Sequence, residues 1–330
     1  MTPAPLLNMR DLHVHVRHRG TRRTLVRDVS LNVDTAESVG LVGESGSGKS
    51  MSIKAATRLL PSGATAEGHV AFEDRDVLTL GRRDLARYRS RDVGLIHQDP
   101  RAHINPTRTI GQFVTEGVVH TGQMTRDEAI QRATGLMAEV GITDAHRRMA
   151  QFPHQLSGGL LQRVMIVAAL LPSPRLIFAD EPTTALDVTV QSDVMAILLD
   201  QIRDRQVSLL FVSHDLDLAA AVTDRLAVMY AGTIVETGTS ADICERPLHP
   251  YTAGLLQSRP STSEVRRPTA IPGRPLAAYE VDEGCPFAPR CSFATDRCHT
   301  ERPDHTLIEG RSVACHRVEE IADQLQERAT

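Results

Sequence analysis

The sequence predicts an α/β protein, a mainly parallel sheet wrapped around a phosphate-binding loop, and three observations predict it. The apolar run Val39-Gly40-Leu41-Val42 ends at Gly43, and an apolar-patterned segment from Ser50 to Leu60 is stopped by Pro61-Ser62-Gly63, which reads as strand, glycine loop, helix. Three further apolar runs, VGLI at 93–96, LIFA at 176–179 and SLLFV at 208–212, are bounded by polar or turn residues. Helical segments separate them, the rhythm of a parallel sheet.

The clearest of those helices runs from about Val188 to Arg203, with Val190, Val194, Ile197 and Leu198 on one face and Asp193 and Asp200 on the other. Near residues 226–236 the pattern LAVMY-AG-TIVE reads as a hairpin turning at Ala231-Gly232. Beyond Leu256 the texture changes: Pro260, Pro268, Pro272, Pro275, Pro286, Pro289 and Pro303 interrupt any long element. The boundary is expected there, with a large core domain at 1–256 and a small irregular cysteine-rich region at 257–330.

Composition narrows the function classes. With 24% charged residues and a net charge of -4, the chain offers no broad basic field for nucleic acid. Its longest apolar stretch, Val164 to Leu171, is too short for about 30 Å of hydrocarbon and is closed by Pro172. The first residues lack the order of a secretory signal. A cytoplasmic location is therefore expected. Of five cysteines, four fall at Cys285, Cys291, Cys298 and Cys315, which in a reducing compartment suggests a metal rather than disulfides. Four thiolates from unequal loops suit Zn²⁺ or a four-iron cluster, and free thiols remain the third possibility. Cys244 reads as a small buried residue.

Gly43-Glu44-Ser45-Gly46-Ser47-Gly48-Lys49-Ser50 matches G-x-x-x-x-G-K-[ST] in its required strand-to-helix setting. Its glycines allow backbone N–H groups to approach phosphate oxygens, and the helix that follows aims its positive end at them. Lys49 is expected to reach the β- and γ-phosphates and Ser50 to ligate Mg²⁺. The strand LIFA ends in Asp180-Glu181; Asp180 would hold Mg²⁺ through water and Glu181 would polarise the attacking water.

Those elements serve many nucleotide hydrolases. Leu156-Ser157-Gly158-Gly159-Leu160-Leu161-Gln162-Arg163, opening a helical segment that runs to Leu171, resembles the signature of the ATP-binding cassette (ABC) family. The resemblance implies an ABC-type phosphate-loop core with an antiparallel β subdomain and a helical subdomain at about 100–172. It also implies roles for further residues: Gln98 in LIHQDP as the loop glutamine that senses Mg²⁺ and meets the membrane partner, Asp187 in TTALD as the aspartate that communicates across a dimer, and His214 as the histidine that contacts the γ-phosphate. Two cassettes are expected head to tail, with ATP between one chain's phosphate loop and the other's Ser157, Gly158, Gly159 and Gln162.

Within the family, GESGSGKS, the run HQDPRAHINPTRTIGQ at 97–112 and His249-Pro250-Tyr251-Thr252 with a cysteine-bearing tail resemble the oligopeptide, dipeptide and nickel importer branch. That branch implies an ATPase partner, favouring a heterodimer, two permeases, an extracytoplasmic solute-binding protein, attachment to the cytoplasmic face of the membrane, and a [4Fe–4S] cluster on the four cysteines. Peptide is the implied solute, with nickel chelate and glutathione as alternatives. A DNA-repair or translation cassette would bring tandem cassettes or a basic surface, and a small kinase has no use for the signature. The chain departs from the family pattern in three places. Only Val16 or His18 stands where adenine is usually stacked on an aromatic ring, His97 replaces a phenylalanine, and Leu160-Leu161 replaces a more polar pair.

Overall fold

The computed structural model describes residues 4–183, 187–259, 269–281 and 283–329. Pro260 and Pro268 of the proline-rich stretch, and residues 184–186 ahead of Asp187, lie outside the described residues. In chain order the strands are β1 (Leu7–His18), β2 (Thr21–Val33), β3 (Ser38–Val42), β4 (Ala64–Phe72), β5 (Arg75–Asp76), β6 (Val93–Ile96), β7 (Leu176–Asp180), β8 (Ser208–Ser213), β9 (Arg225–Tyr230), β10 (Thr233–Thr239), β11 (Thr306–Ile308) and β12 (Arg311–Val313). The chain divides into two compact units, one of Met1–Asn32, Ser38–Leu78 and Val212–Thr330, the other of Val33–Glu37 and Thr79–Phe211.

In the first unit, alternation makes the strands. Leu7 and Met9, then Leu12 and Val14, are buried in β1, and the change of parity is absorbed by a bulge between Arg10 and His13, where Asp11 takes a φ of 47°. A bulge inserts one residue and so returns the apolar set to the same face. A four-stranded sheet in the order β2-β1-β4-β5 results. A second sheet contributes β11-β12-β10-β9-β3 to this unit. Here β3 runs parallel to β9, and β9 turns into antiparallel β10 through Ala231 and Gly232, whose φ values of 44° and 83° both lie in the left-handed region. Two positive-φ residues are what a tight hairpin that follows the strand twist requires.

The tail pairs and packs within the first unit. β12 pairs with β10, Glu236 opposite Val313 and Thr237 opposite Ser312, and the helix Val318–Ala329 buries Ile321 and Leu325 with Ala253 of the helix Pro250–Gln257. The described tail residues fall in the same compact unit as the phosphate loop. The tail's short elements carry too few apolar residues for a core of their own, so they extend a sheet edge and a helix already present.

The second unit holds β6, β7 and residues 208–211 of β8, with β6 parallel to β7. Pairs of both kinds occur: β3/β9 and β6/β7 are parallel, while the hairpin and tail pairs are antiparallel. The helices Ile110–His120 and Arg126–Glu139 each start with a capping box, Thr109 with Gln112 and Thr125 with Glu128. They pack with the helix Gly158–Leu170, which also lies against β6. The helix Val188–Arg205 buries Val194 and Leu198 and leaves Asp193 and Asp200 exposed, as its periodicity predicts.

Candidate nucleotide site and its surroundings

The phosphate loop joins β3 to the helix Lys49–Ala56. A side chain at Gly43 would come 2.1 Å from the Met229 carbonyl oxygen. One at Gly48, where φ is 108°, would come 2.7 Å from Met229 Cε and 3.0 Å from the Leu25 carbonyl oxygen. Only glycine fits either position. The loop is also tied to the hairpin turn, since the Gly232 N–H donates to the Ser47 carbonyl at 2.8 Å. Ser45 and Gly46 are exposed, Ser47 is buried and Ser50 is half-buried. Lys49 is only 4% exposed, and its ammonium donates to the carbonyls of Gly43 at 2.7 Å and Glu44 at 3.0 Å. A cation is thus held within the loop itself, the charge a phosphate needs. His214, also in this unit, is an exposed residue immediately after β8.

In the second unit, the loop after β6 brings the exposed Gln98 to Glu181, with Nε2 donating to Oε2 at 3.1 Å. Asp180 ends β7, and Glu181 follows in a left-handed conformation, φ 46°. A non-glycine residue held there marks strain that the surrounding structure must impose, a frequent feature of working sites. The signature begins a helix: Ser157 is the exposed N-cap, its hydroxyl accepting the Leu160 N–H at 3.4 Å. Gly158 is the first helical residue, and a side chain at Gly159 would come 2.6 Å from Val190 Cγ1. Gln162 lies further along the same helix. It is 1% exposed and its amide nitrogen has no hydrogen-bond partner among the described residues. Asp187 is exposed and caps the helix Val188–Arg205, accepting the Val190 N–H at 3.0 Å.

Two of the departures acquire a physical counterpart. His97 stacks on His103 with ring centroids 3.7 Å apart, so a flat ring still occupies the phenylalanine position. Leu161 is fully buried, which accounts for one apolar residue of the Leu160-Leu161 pair. Val16 is half-buried and His18 exposed at the end of β1.

The four tail cysteines form no disulfide, and Cys285, Cys291, Cys298 and Cys315 line one small cavity together with His249, Phe287, Phe293 and Ile321. Burial pushes the Cys285 thiol up to about 11 and the Cys315 thiol to about 12, with the neighbouring cysteines adding to both. Among the described residues no group of three or more His, Cys, Asp or Glu side chains stands in metal-coordinating geometry. Cys244 is half-buried rather than buried.

Sequence reading missed what lies under the phosphate loop. Tyr251, fully buried, accepts the Glu44 N–H at its hydroxyl at 2.9 Å. Arg290, between two of the cysteines, pairs with the Glu44 carboxylate. Phe287 joins Tyr230 and Tyr251 at centroid distances of 5.3 and 5.4 Å. In a chain with only 3% aromatic residues this concentration is itself a signal, yet it appears only once residues distant in sequence are brought together.

Comparison with known proteins identifies the family. Residues 26–184 match the ABC transporter family and residues 235–298 match the oligopeptide/dipeptide transporter C-terminal region. The chain is 41% identical over 293 residues to the oligopeptide transport ATP-binding protein OppD of Bacillus subtilis (strain 168), covering 88% of this chain and 82% of that one. It is 37% identical to OppD of Escherichia coli (strain K12), covering 96% and 94%, and 40% identical to AppD of Bacillus subtilis (strain 168), covering 96% and 97%. The dimeric ATP-binding cassette MJ0796, in a post-hydrolysis state bound to ADP and Pi, superposes with a TM-score of 0.63 at 25% identity, covering 71% of this chain and 98% of that one. Among the described residues no helix is long and apolar enough to cross a membrane. A glycine-restricted phosphate loop, a capped signature helix and full-length relatives together make this chain a member of the ABC transporter ATP-binding family, of the oligopeptide transporter type.

Proposed function

We propose that this subunit hydrolyses ATP at the cytoplasmic face of the membrane to drive import of di- or oligopeptides. Lys49 and the loop N–H groups bind the β- and γ-phosphates, while Ser50, Gln98 and Asp180 hold Mg²⁺. Glu181 orients the attacking water, and His214 contacts the γ-phosphate. The Ser157-Gly158-Gly159 helix tip serves a second cassette, most simply a related ATPase subunit. Two permeases and a solute-binding protein complete the machine. ATP stabilises the closed pair, and hydrolysis removes the bridging charge and releases it.

The observation that carries the reading is the 3.1 Å contact from Gln98 to Glu181. It joins a candidate Mg²⁺ sensor to the candidate water-positioning carboxylate, so that metal arrival and water orientation are coupled. In the complex purified with its own permeases and binding protein, Glu181→Gln is expected to lower peptide-stimulated turnover by about 10²- to 10⁴-fold while ATP still binds. Turnover equal to that of the wild type would refute the role.

We further infer that the cysteine cavity is the seat of an iron–sulfur cluster. Four thiols around one cavity are the donor set such a cluster takes, and the Phe293 N–H donating to Cys291 Sγ at 3.4 Å is the kind of bond that tunes cluster sulfurs. When bound, the cluster would supply redox chemistry and hold the four thiolates together. Anaerobic purification, iron and sulfide analysis and visible absorption test it; a colourless, iron-free chain holding one zinc would reject it.

A further inference from the structure

Glu44 is held from three directions. Its carbonyl accepts from Lys49 Nζ at 3.0 Å, its N–H donates to Tyr251, and its carboxylate receives a two-pronged bond from Arg290: Nη1 to Oε2 at 2.7 Å and Nη2 to Oε1 at 3.1 Å. Arg290 in turn is rigid. Its side chain is 4% exposed, and Nε donates to the Pro272 carbonyl at 2.8 Å. Nη2 donates to the Ile271 carbonyl and Nη1 to the Tyr230 hydroxyl, both at 3.4 Å. It stands in Cys285-Pro-Phe-Ala-Pro-Arg-Cys291, one residue from a cavity cysteine, and Phe287 of the same segment packs on Tyr230 and Tyr251. Nothing in the chemistry of ATP hydrolysis requires a buried fork on a phosphate-loop side chain.

We propose that Arg290 is a positioning residue for ATP, through which the order of the cysteine segment sets how tightly the phosphate loop grips the nucleotide. The guanidinium fixes the Glu44 side chain, Glu44 presents its carbonyl to Lys49, and Lys49 is the ammonium that meets the phosphates. Disorder in the 285–291 segment therefore reaches Lys49 in two contacts. The dependence on cavity occupancy rests on the cluster reading above; the Arg290–Glu44 contact does not.

The test uses the full-length chain and a fluorescent ATP analogue with Mg²⁺, with iron content measured on every sample. Arg290→Ala is expected to weaken ATP binding about tenfold or more, the scale of a charge-assisted buried pair. Arg290→Lys recovers little, because an ammonium cannot make the fork, and Glu44→Gln, which preserves shape, reproduces the loss. On a Glu44→Gln background Arg290→Ala adds nothing further, and the exchanged pair Arg290→Glu with Glu44→Arg regains part of the affinity. Cys291→Ser weakens ATP binding in the wild type but not on the Glu44→Gln background. Unchanged affinity in both Arg290→Ala and Glu44→Gln, or losses that multiply in the double variant, would overturn the proposal. The two readings separate cleanly: lost affinity in Arg290→Ala supports the clamp whatever the iron content. A Cys291→Ser loss that persists without Glu44 overturns the link to the cavity.

Discussion

Acidification below pH 6.5 is expected to destabilise the folded chain, because of His249. This residue is 1% exposed and caps the helix Pro250–Gln257, its Nδ1 accepting the Tyr251 N–H at 3.0 Å. Burial, and secondarily His305, lowers its pKa from 6.5 to about 3. A proton on Nδ1 would also remove the cap and set a positive charge at a helix N-terminus. The sign follows from linkage. The folded state keeps His249 neutral while the unfolded chain takes up a proton below 6.5, so its stabilisation is full above 6.5 and is lost as pH falls towards 3. At pH 5 the difference amounts to about 2 kcal/mol, at 1.36 kcal/mol per pH unit. Because the chain has no tryptophan, urea unfolding followed by circular dichroism at pH 7.5 and 5.0 is the assay. His249→Asn keeps a side chain that accepts at the cap but does not titrate. The wild type should lose about 2 kcal/mol more than this variant between the two pH values. Equal losses in the two proteins would refute the reasoning.

Two further outcomes follow from single contacts. Tyr251→Phe retains the ring stack but deprives the Glu44 N–H of its acceptor, a loss of about 1–3 kcal/mol; ATP affinity should fall severalfold or more, and an unaltered affinity would show that the hydroxyl does not steady the loop. Gly94→Ala sets a methyl 2.7 Å from the Ala169 carbonyl oxygen, forcing β6 and the signature helix apart at about 1–3 kcal/mol. A thermal midpoint equal to that of the wild type would contradict this.

What the sequence determined by itself was everything governed by local rules. The phosphate loop is contiguous and needs glycine at Gly43 and Gly48 for steric reasons. The strands at 93–96, 176–180 and 208–213 are short apolar runs, and the signature announces its helix through the Ser157 cap. Tertiary structure decided what depends on meetings between distant residues. The tail's membership in the phosphate-loop unit required β10 to offer its edge to β12, and no local pattern encodes which edge a short strand joins. Arg290 looks like one arginine among prolines until Glu44, separated from it by 246 positions, closes on its fork. A side chain's neighbours across the sequence are set by packing, and packing is a property of the whole fold.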